Sequence, residues 1–148
     1  MDMKSCKNII AVMAFIIMSG WTMPASGKLK CVPKIYAFGF SASFNDSIVY
    51  FTDIQEIDSA WINDKNKFLV SRDNYSYQLK NYFINIGLPH RTCIISYALN
   101  KKDIEKKYEK MKSKYVKSGN FTIKDVNEQD FHFTAIKPDE YQMEAAGK

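Results

Sequence analysis

The residues best suited to chemistry are His90 and Cys93, which stand three positions apart in the sequence. A cysteine becomes a nucleophile when a base or a positive neighbour favours its thiolate, and His90 or Arg91 is placed to supply one. A simpler interpretation puts His90 on a loop and Cys93 inside a strand, where a cysteine is an inert small hydrophobe. Because a strand side chain points into a layer, away from the preceding loop, we favour a non-catalytic protein. A cysteine enzyme that uses Cys93 with His90 is the alternative.

Other catalytic and metal-binding motifs are missing from the sequence. The chain contains no His-x-x-x-His, no Cys-x-x-Cys and no aspartate-rich calcium loop. Its six glycines form neither a Gly-x-Ser-x-Gly elbow nor a phosphate-binding loop. The sequence therefore predicts no metal and no cofactor.

A lysine-rich segment at residues 101–117 is the strongest charged feature. It holds eight lysines against three carboxylates. One interpretation is a basic strip for phosphate, an anionic envelope glycan or lipid head groups, with four binding residues. These are Lys106, Lys107, Lys110 and Lys114. We favour a solvated amphipathic helix, because lysines without arginines give charge but little directional recognition. Tyr108 and Tyr115 fall on its apolar stripe, so no nucleic-acid partner is expected.

Residues 1–27 have the order of a secretory signal. Lys4 and Lys7 precede a ten-residue apolar run, Ile9 to Met18, and small residues from Pro24 to Gly27 suit a cleavage site. The run is shorter than the roughly 20 residues that span a bilayer. We expect an exported protein, periplasmic or secreted, with no membrane span after cleavage. An uncleaved membrane anchor is the alternative.

Cleavage removes Cys6 and leaves Cys31 and Cys93. An even pair of cysteines in an exported protein indicates a disulfide, which would close a long loop. The alternative is that Cys93 is a buried side chain and Cys31 a free thiol on a loose N-terminal segment.

The hydrophobic pattern predicts one α+β domain at residues 28–136, followed by a flexible C-terminal tail at residues 137–148. Alternating polarity predicts strands at 34–44, 47–57, 91–99 and 121–126, with brief additional strands at 68–70 and 131–136. Apolar stripes predict helices at 75–86 and 101–117. Asn100 and Asp103 form the start signal of the second helix, and Gly119 its stop signal.

This order, β-β-α-β-α-β with an optional last strand, predicts a two-layer sandwich. It consists of one sheet of four or five strands with both helices packed on one face.

Three segments together resemble a group of small exported proteins of the Bacteroidales. They are Lys34 to Gln55, Arg72 to Leu79 and Arg91 to Cys93. The resemblance covers most of the exported chain, implies a Gram-negative, periplasmic protein and brings no activity with it. Residues 93–124 are also similar to half of a sporulation-related repeat domain that binds cell-wall glycan, although two consecutive strands replace its first half. We therefore expect a small binding domain for an envelope protein or an anionic glycan.

Overall fold

The computed structural model describes residues 27–146, so all of the predicted signal except Gly27 lies outside the described residues. Five strands form one sheet. The strands are β1 (Leu29–Ala42), β2 (Ile48–Thr52), β3 (Gln55–Asn63), β4 (Thr92–Ala98) and β5 (Thr122–Val126). The helices are α1 (Arg72–Asn85), α2 (Lys101–Ser118) and α3 (Glu140–Ala146). Within this part of the chain, no helix combines the length and apolar character that crossing a membrane requires.

The long strand β1 organises the sheet. One side of β1 pairs antiparallel with β3 over residues 29–37 and with β2 over residues 40–41. Its other side pairs antiparallel with β4 over residues 36–42. β5 extends the sheet by pairing parallel to β2. Because β3 and β4 each pair with β1 alone and β5 pairs with β2 alone, each of these three strands has one side without a partner strand in the sheet.

The two faces of β1 carry different helices. Ile35 and Ala37 pack in one buried cluster with Leu79 of α1, whereas Phe38 packs in a second cluster with Ile104 of α2. Neighbouring strand residues point to opposite faces, so α1 and α2 cover opposite sides of the sheet. The mixed class and the single sheet are confirmed, and the element order broadly matches: β2 and β3 replace the second predicted strand, and α3 is additional. The prediction that both helices pack on one face is wrong, because β1 is buried on both faces and each face needs a helix.

Gly39 explains how α1 covers the face of β1 that carries small residues. A Cβ atom at Gly39 would lie 2.6 Å from Cδ2 of Leu79 and 3.2 Å from Cγ2 of Thr52. The missing side chain therefore lets α1 approach the sheet closely. The small residues at alternate positions of β1 mark a helix contact and not a solvent-facing surface.

Two glutamines replace a strand ladder at residues 131–136, where the sequence predicted a last strand. The buried Gln55 donates from Nε2 to the Phe131 carbonyl (2.9 Å) and accepts the Phe133 N–H at Oε1 (2.8 Å). Gln78 makes the same pair of bonds to the Thr134 carbonyl and N–H, each 2.9 Å long. Side-chain amides thus satisfy the backbone of this segment, and no strand forms at 131–136 within the described chain.

The region predicted as a flexible tail contains α3. Ile136 donates its N–H to the Tyr75 hydroxyl (2.9 Å), and burial raises the pKa of that hydroxyl. Asp139 accepts the Gln142 N–H (2.7 Å), which caps the first turn of α3. The Ser71 hydroxyl also donates to Gln142 Oε1 (3.5 Å), so α3 contacts the residue that precedes α1.

The predicted boundaries of α2 are confirmed, whereas the start of α1 differs. Asn100 accepts the Asp103 N–H (2.9 Å), and Gly119 ends α2 in the left-handed conformation. The apolar stripe predicted that the first helix begins at residue 75. The helix instead begins at Arg72 after Ser71, whose backbone is left-handed and whose side chain makes no capping bond.

Candidate binding groove along strand β4

The structure does not join His90 to Cys93. His90 is exposed on the loop before β4, and no hydrogen bond links it to Cys93 among the described residues. The half-buried Cys93 thiol lies 3.5 Å from the Ser41 hydroxyl. Burial raises the pKa of Cys93, and this effect exceeds the opposing influence of Ser41, Arg91 and Lys80. The raised pKa disfavours the thiolate, and the partners of the thiol among the described residues are the Ser41 hydroxyl and the Arg91 carbonyl, neither of which is a base that could activate it.

Arg91, the other candidate activator of Cys93, stabilises the turn between β1 and β2. It is 5 % exposed and donates to the Ser41 hydroxyl, the Asp46 carboxylate and the Ile48 carbonyl. Its guanidinium also lies 4.7 Å from the centre of the Tyr50 ring. The Ile48 N–H, and after it Arg91, lower the pKa of the Asp46 carboxyl. These contacts give Arg91 a structural role.

The predicted disulfide is wrong. Cys31 pairs with Trp61 near the start of β1, whereas Cys93 pairs with Ser41 near its end. Ten positions of strand separate the two places, or about 30 Å at the usual rise per residue. A disulfide requires Cα atoms within about 7 Å. Both cysteines are accordingly free.

The four predicted lysines of α2 fall into two groups. Lys106, Lys110 and Lys114 are exposed and share one helix face through their spacing of four. Lys107 turns toward the sheet and donates from Nζ to the Tyr97 carbonyl (2.8 Å). The helix thus presents a solvated strip on one side and contributes a cation to the edge of β4 on the other.

The register between β1 and β4 determines which backbone N–H and C=O groups of β4 have no partner strand. Gly39 donates its N–H to the Thr52 side chain (2.8 Å) on the β2 side, so its neighbour Phe38 directs its backbone groups toward β4. Phe38 pairs there with Ser96, whose backbone groups point back to β1. The N–H and C=O groups of the alternate residues of β4 therefore point away from β1 and have no partner strand. These outward-facing residues are Cys93, Ile95 and Tyr97.

Cations from both helices cover this open edge. Arg72 of α1 donates to the Ile95 carbonyl (3.2 Å), and Lys107 of α2 donates to the Tyr97 carbonyl. Both cations also lie within 6 Å of the centre of the Tyr97 ring. Two side chains from opposite faces of the sheet therefore meet at one strand edge. No local signal in the sequence distinguishes Arg72, because its role depends on β4 being an edge.

Two adjoining cavities follow the same edge and share Arg72; we call them together the β4 groove. Their volumes are about 710 and 580 Å³. The first is lined in part by Lys67, Tyr97 and Lys107, and the second in part by Lys80. In all, five cationic side chains line the groove against two carboxylates, those of Asp73 and Asp103. One of the five, Arg91, is buried and already paired with Asp46, which leaves four cations for the groove. The groove is therefore a basic channel beside an unpaired strand.

In the described part of the chain, no three His, Cys, Asp or Glu side chains are grouped so that they could hold a metal ion. No family model, curated protein or solved structure matches the chain. The resemblance to exported Bacteroidales proteins therefore stays a prediction, and the function proposed below rests on the β4 groove.

Proposed function

We propose that this protein is a small, exported, non-catalytic binding domain that holds an extended segment of a partner protein in the β4 groove. The observation that carries the proposal is the open edge of β4, flanked by side chains of α1 and α2. An extended segment can add to such an edge as a further strand.

Backbone hydrogen bonds would supply part of the affinity. Cys93, Ile95 and Tyr97 direct their N–H and C=O groups outward, so an added strand meets a regular ladder of donors and acceptors. The cavities beside the edge would receive side chains of the added strand. Seven residues of β4 give a footprint of about 23 Å, enough to hold a short peptide segment.

The alternatives have less support. A cysteine enzyme needs an accessible thiolate, whereas burial raises the pKa of Cys93 and no base contacts it among the described residues. A glycan site on α2 would use Lys106, Lys110 and Lys114, which are exposed, whereas the cavity beside this helix is lined by other residues, Tyr108 and Lys112 among them. The β4 groove combines concave shape, backbone donors and charge.

A random peptide library displayed on phage tests the proposal with a matched pair of variants. Cys93→Pro removes one outward N–H and leaves the ladder to β1 intact, because the Cys93 N–H faces away from β1. Cys93→Ala removes the thiol and keeps that N–H. We expect the library to yield peptides that bind the wild type and Cys93→Ala and lose affinity for Cys93→Pro. Urea unfolding of both variants confirms that each is folded.

Two results would contradict the binding proposal. Either the library yields no binder, or its binders recognise Cys93→Pro as well as they recognise the wild type. Export has a separate test in Gram-negative cells that express the full gene. A chain that begins near Lys28 in the osmotic-shock fraction supports export, whereas a full-length chain in the cytoplasm contradicts it.

A further inference from the structure

We infer that the segment bound in the β4 groove is acidic, and that Arg72, Lys80 and Lys107 bind its carboxylates. This inference rests on the proposed function and specifies the chemistry of the partner. Charge complementarity supports it, since the cations of the groove outnumber its carboxylates and one of the carboxylates, Asp103, is already bonded to Asn100 in the cap of α2.

The bonds of the free protein show what an incoming strand must replace. Arg72 and Lys107 occupy the carbonyls of Ile95 and Tyr97, which are the acceptors that an added strand would use. Backbone N–H groups of the added strand would take these carbonyls and release both cations. A carboxylate on the same strand then gives each released cation a charge-assisted hydrogen bond. A neutral strand would leave both cations without such a bond.

The pleat of the sheet sets the spacing of these carboxylates. Cys93 and Ile95 belong to the side of the sheet that α1 covers, and residues opposite them on an added strand would point to the same side. Arg72 lies beside Ile95, and Lys80 lines the cavity that contains Cys93. Acidic residues two positions apart would therefore reach Arg72 and Lys80.

A second copy of the chain fits this edge less well than an acidic segment. Pairing two β4 strands would bring the Arg72 and Lys107 side chains of both copies to one seam, where like charges repel. Dimers whose formation depends on β4 would therefore count against an acidic occupant.

Three labelled heptapeptides provide the probe: Thr-Glu-Val-Glu-Val-Glu-Thr, its glutamine analogue and its lysine analogue. Fluorescence anisotropy with the full chain measures their dissociation constants. We expect the glutamate peptide to bind at least about tenfold more tightly than the glutamine peptide, with an advantage that shrinks as salt is added. The lysine peptide should bind more weakly than either.

Two double variants test whether the preference for the glutamate peptide arises in the β4 groove. The double variant Arg72→Gln/Lys107→Gln should lose about tenfold or more in affinity for the glutamate peptide. Lys106→Gln/Lys110→Gln removes the same charge from the solvated face of α2 and should change affinity less than about twofold. Cys93→Pro should weaken all peptides that bind.

Each contrary outcome has a defined meaning. Equal affinity for the glutamate and glutamine peptides, equal losses in the two double variants, or β4-dependent dimers without peptide binding would overturn the acidic occupant. Failure of all three peptides would also overturn it. The phage library decides the proposed function separately, because a β4-dependent binder of neutral sequence would retain peptide binding and reject the acidic partner.

Discussion

Replacing Gln55 with leucine removes two hydrogen bonds that hold residues 131–136 against the domain. Gln55 is 2 % exposed, and its amide bonds the Phe131 carbonyl at 2.9 Å and the Phe133 N–H at 2.8 Å. Leucine is close to glutamine in size, so the cavity contribution is small. The substitution leaves two buried backbone groups unpaired, each costing about 1–3 kcal/mol. We expect the free energy of unfolding to fall by about 2–4 kcal/mol in urea titrations.

Gln78→Leu is the matched control, because Gln78 makes the same two bonds to Thr134 on the exposed side of the segment. Water can satisfy the Thr134 groups there, so we expect a loss below about 1 kcal/mol. Hydrogen exchange of the Phe133 amide should accelerate in Gln55→Leu and change little in Gln78→Leu. Equal stability losses, or an unchanged Phe133 amide in Gln55→Leu, would refute the claim that burial makes the Gln55 bonds costly to lose.

Three further predictions concern the turn, the thiols and the packing of α1. The Ile48 N–H and Arg91 lower the pKa of Asp46, so its stabilising contribution exists above the ordinary carboxyl pKa and is lost as pH falls through the lowered value. Acid titration of unfolding should therefore be steeper for the wild type than for Asp46→Asn, and parallel curves would contradict this. Iodoacetamide should alkylate the exposed Cys31 faster than Cys93, whose pKa burial raises, and peptide mapping would reveal equal rates if this were wrong. Gly39→Ala would overpack the contact with α1, so we expect the free energy of unfolding measured in urea to fall by about 1–3 kcal/mol. An unchanged free energy of unfolding would contradict the close approach of α1 to β1.

Local signals explain which elements the sequence predicts well. Asn100 and Gly119 bracket α2 because capping depends on side chains a few positions away. The alternating residues of β1 likewise predict a strand, since a pleated backbone separates them onto two faces. The sequence predicted one strand from Ser47 to Ile57. The structure divides it after Thr52 into β2 and β3 and extends β3 to Asn63.

The candidate site could not be predicted from local sequence, because the pairing of distant strands brings its residues together. The sequence identifies Cys93 and Lys107 as residues of interest, but it paired Cys93 with His90 and with Cys31, and the structure supports neither contact. Arg72 gains its role only because pairing with β1 leaves β4 at an edge of the sheet, where side chains of both helices contact its free carbonyls.

The sequence by itself determined the mixed class, the approximate order of the elements and the caps of α2, because these arise from periodicity and from contacts within a few residues. Tertiary structure alone decided the side of the sheet on which each helix packs. It also decided that Gln55, and not a neighbouring strand, satisfies the segment at 131–136. Tertiary structure alone also decided that β4 has an open edge. Each of these outcomes depends on which strands become neighbours, and that choice minimises unpaired backbone and exposed apolar surface over the whole chain.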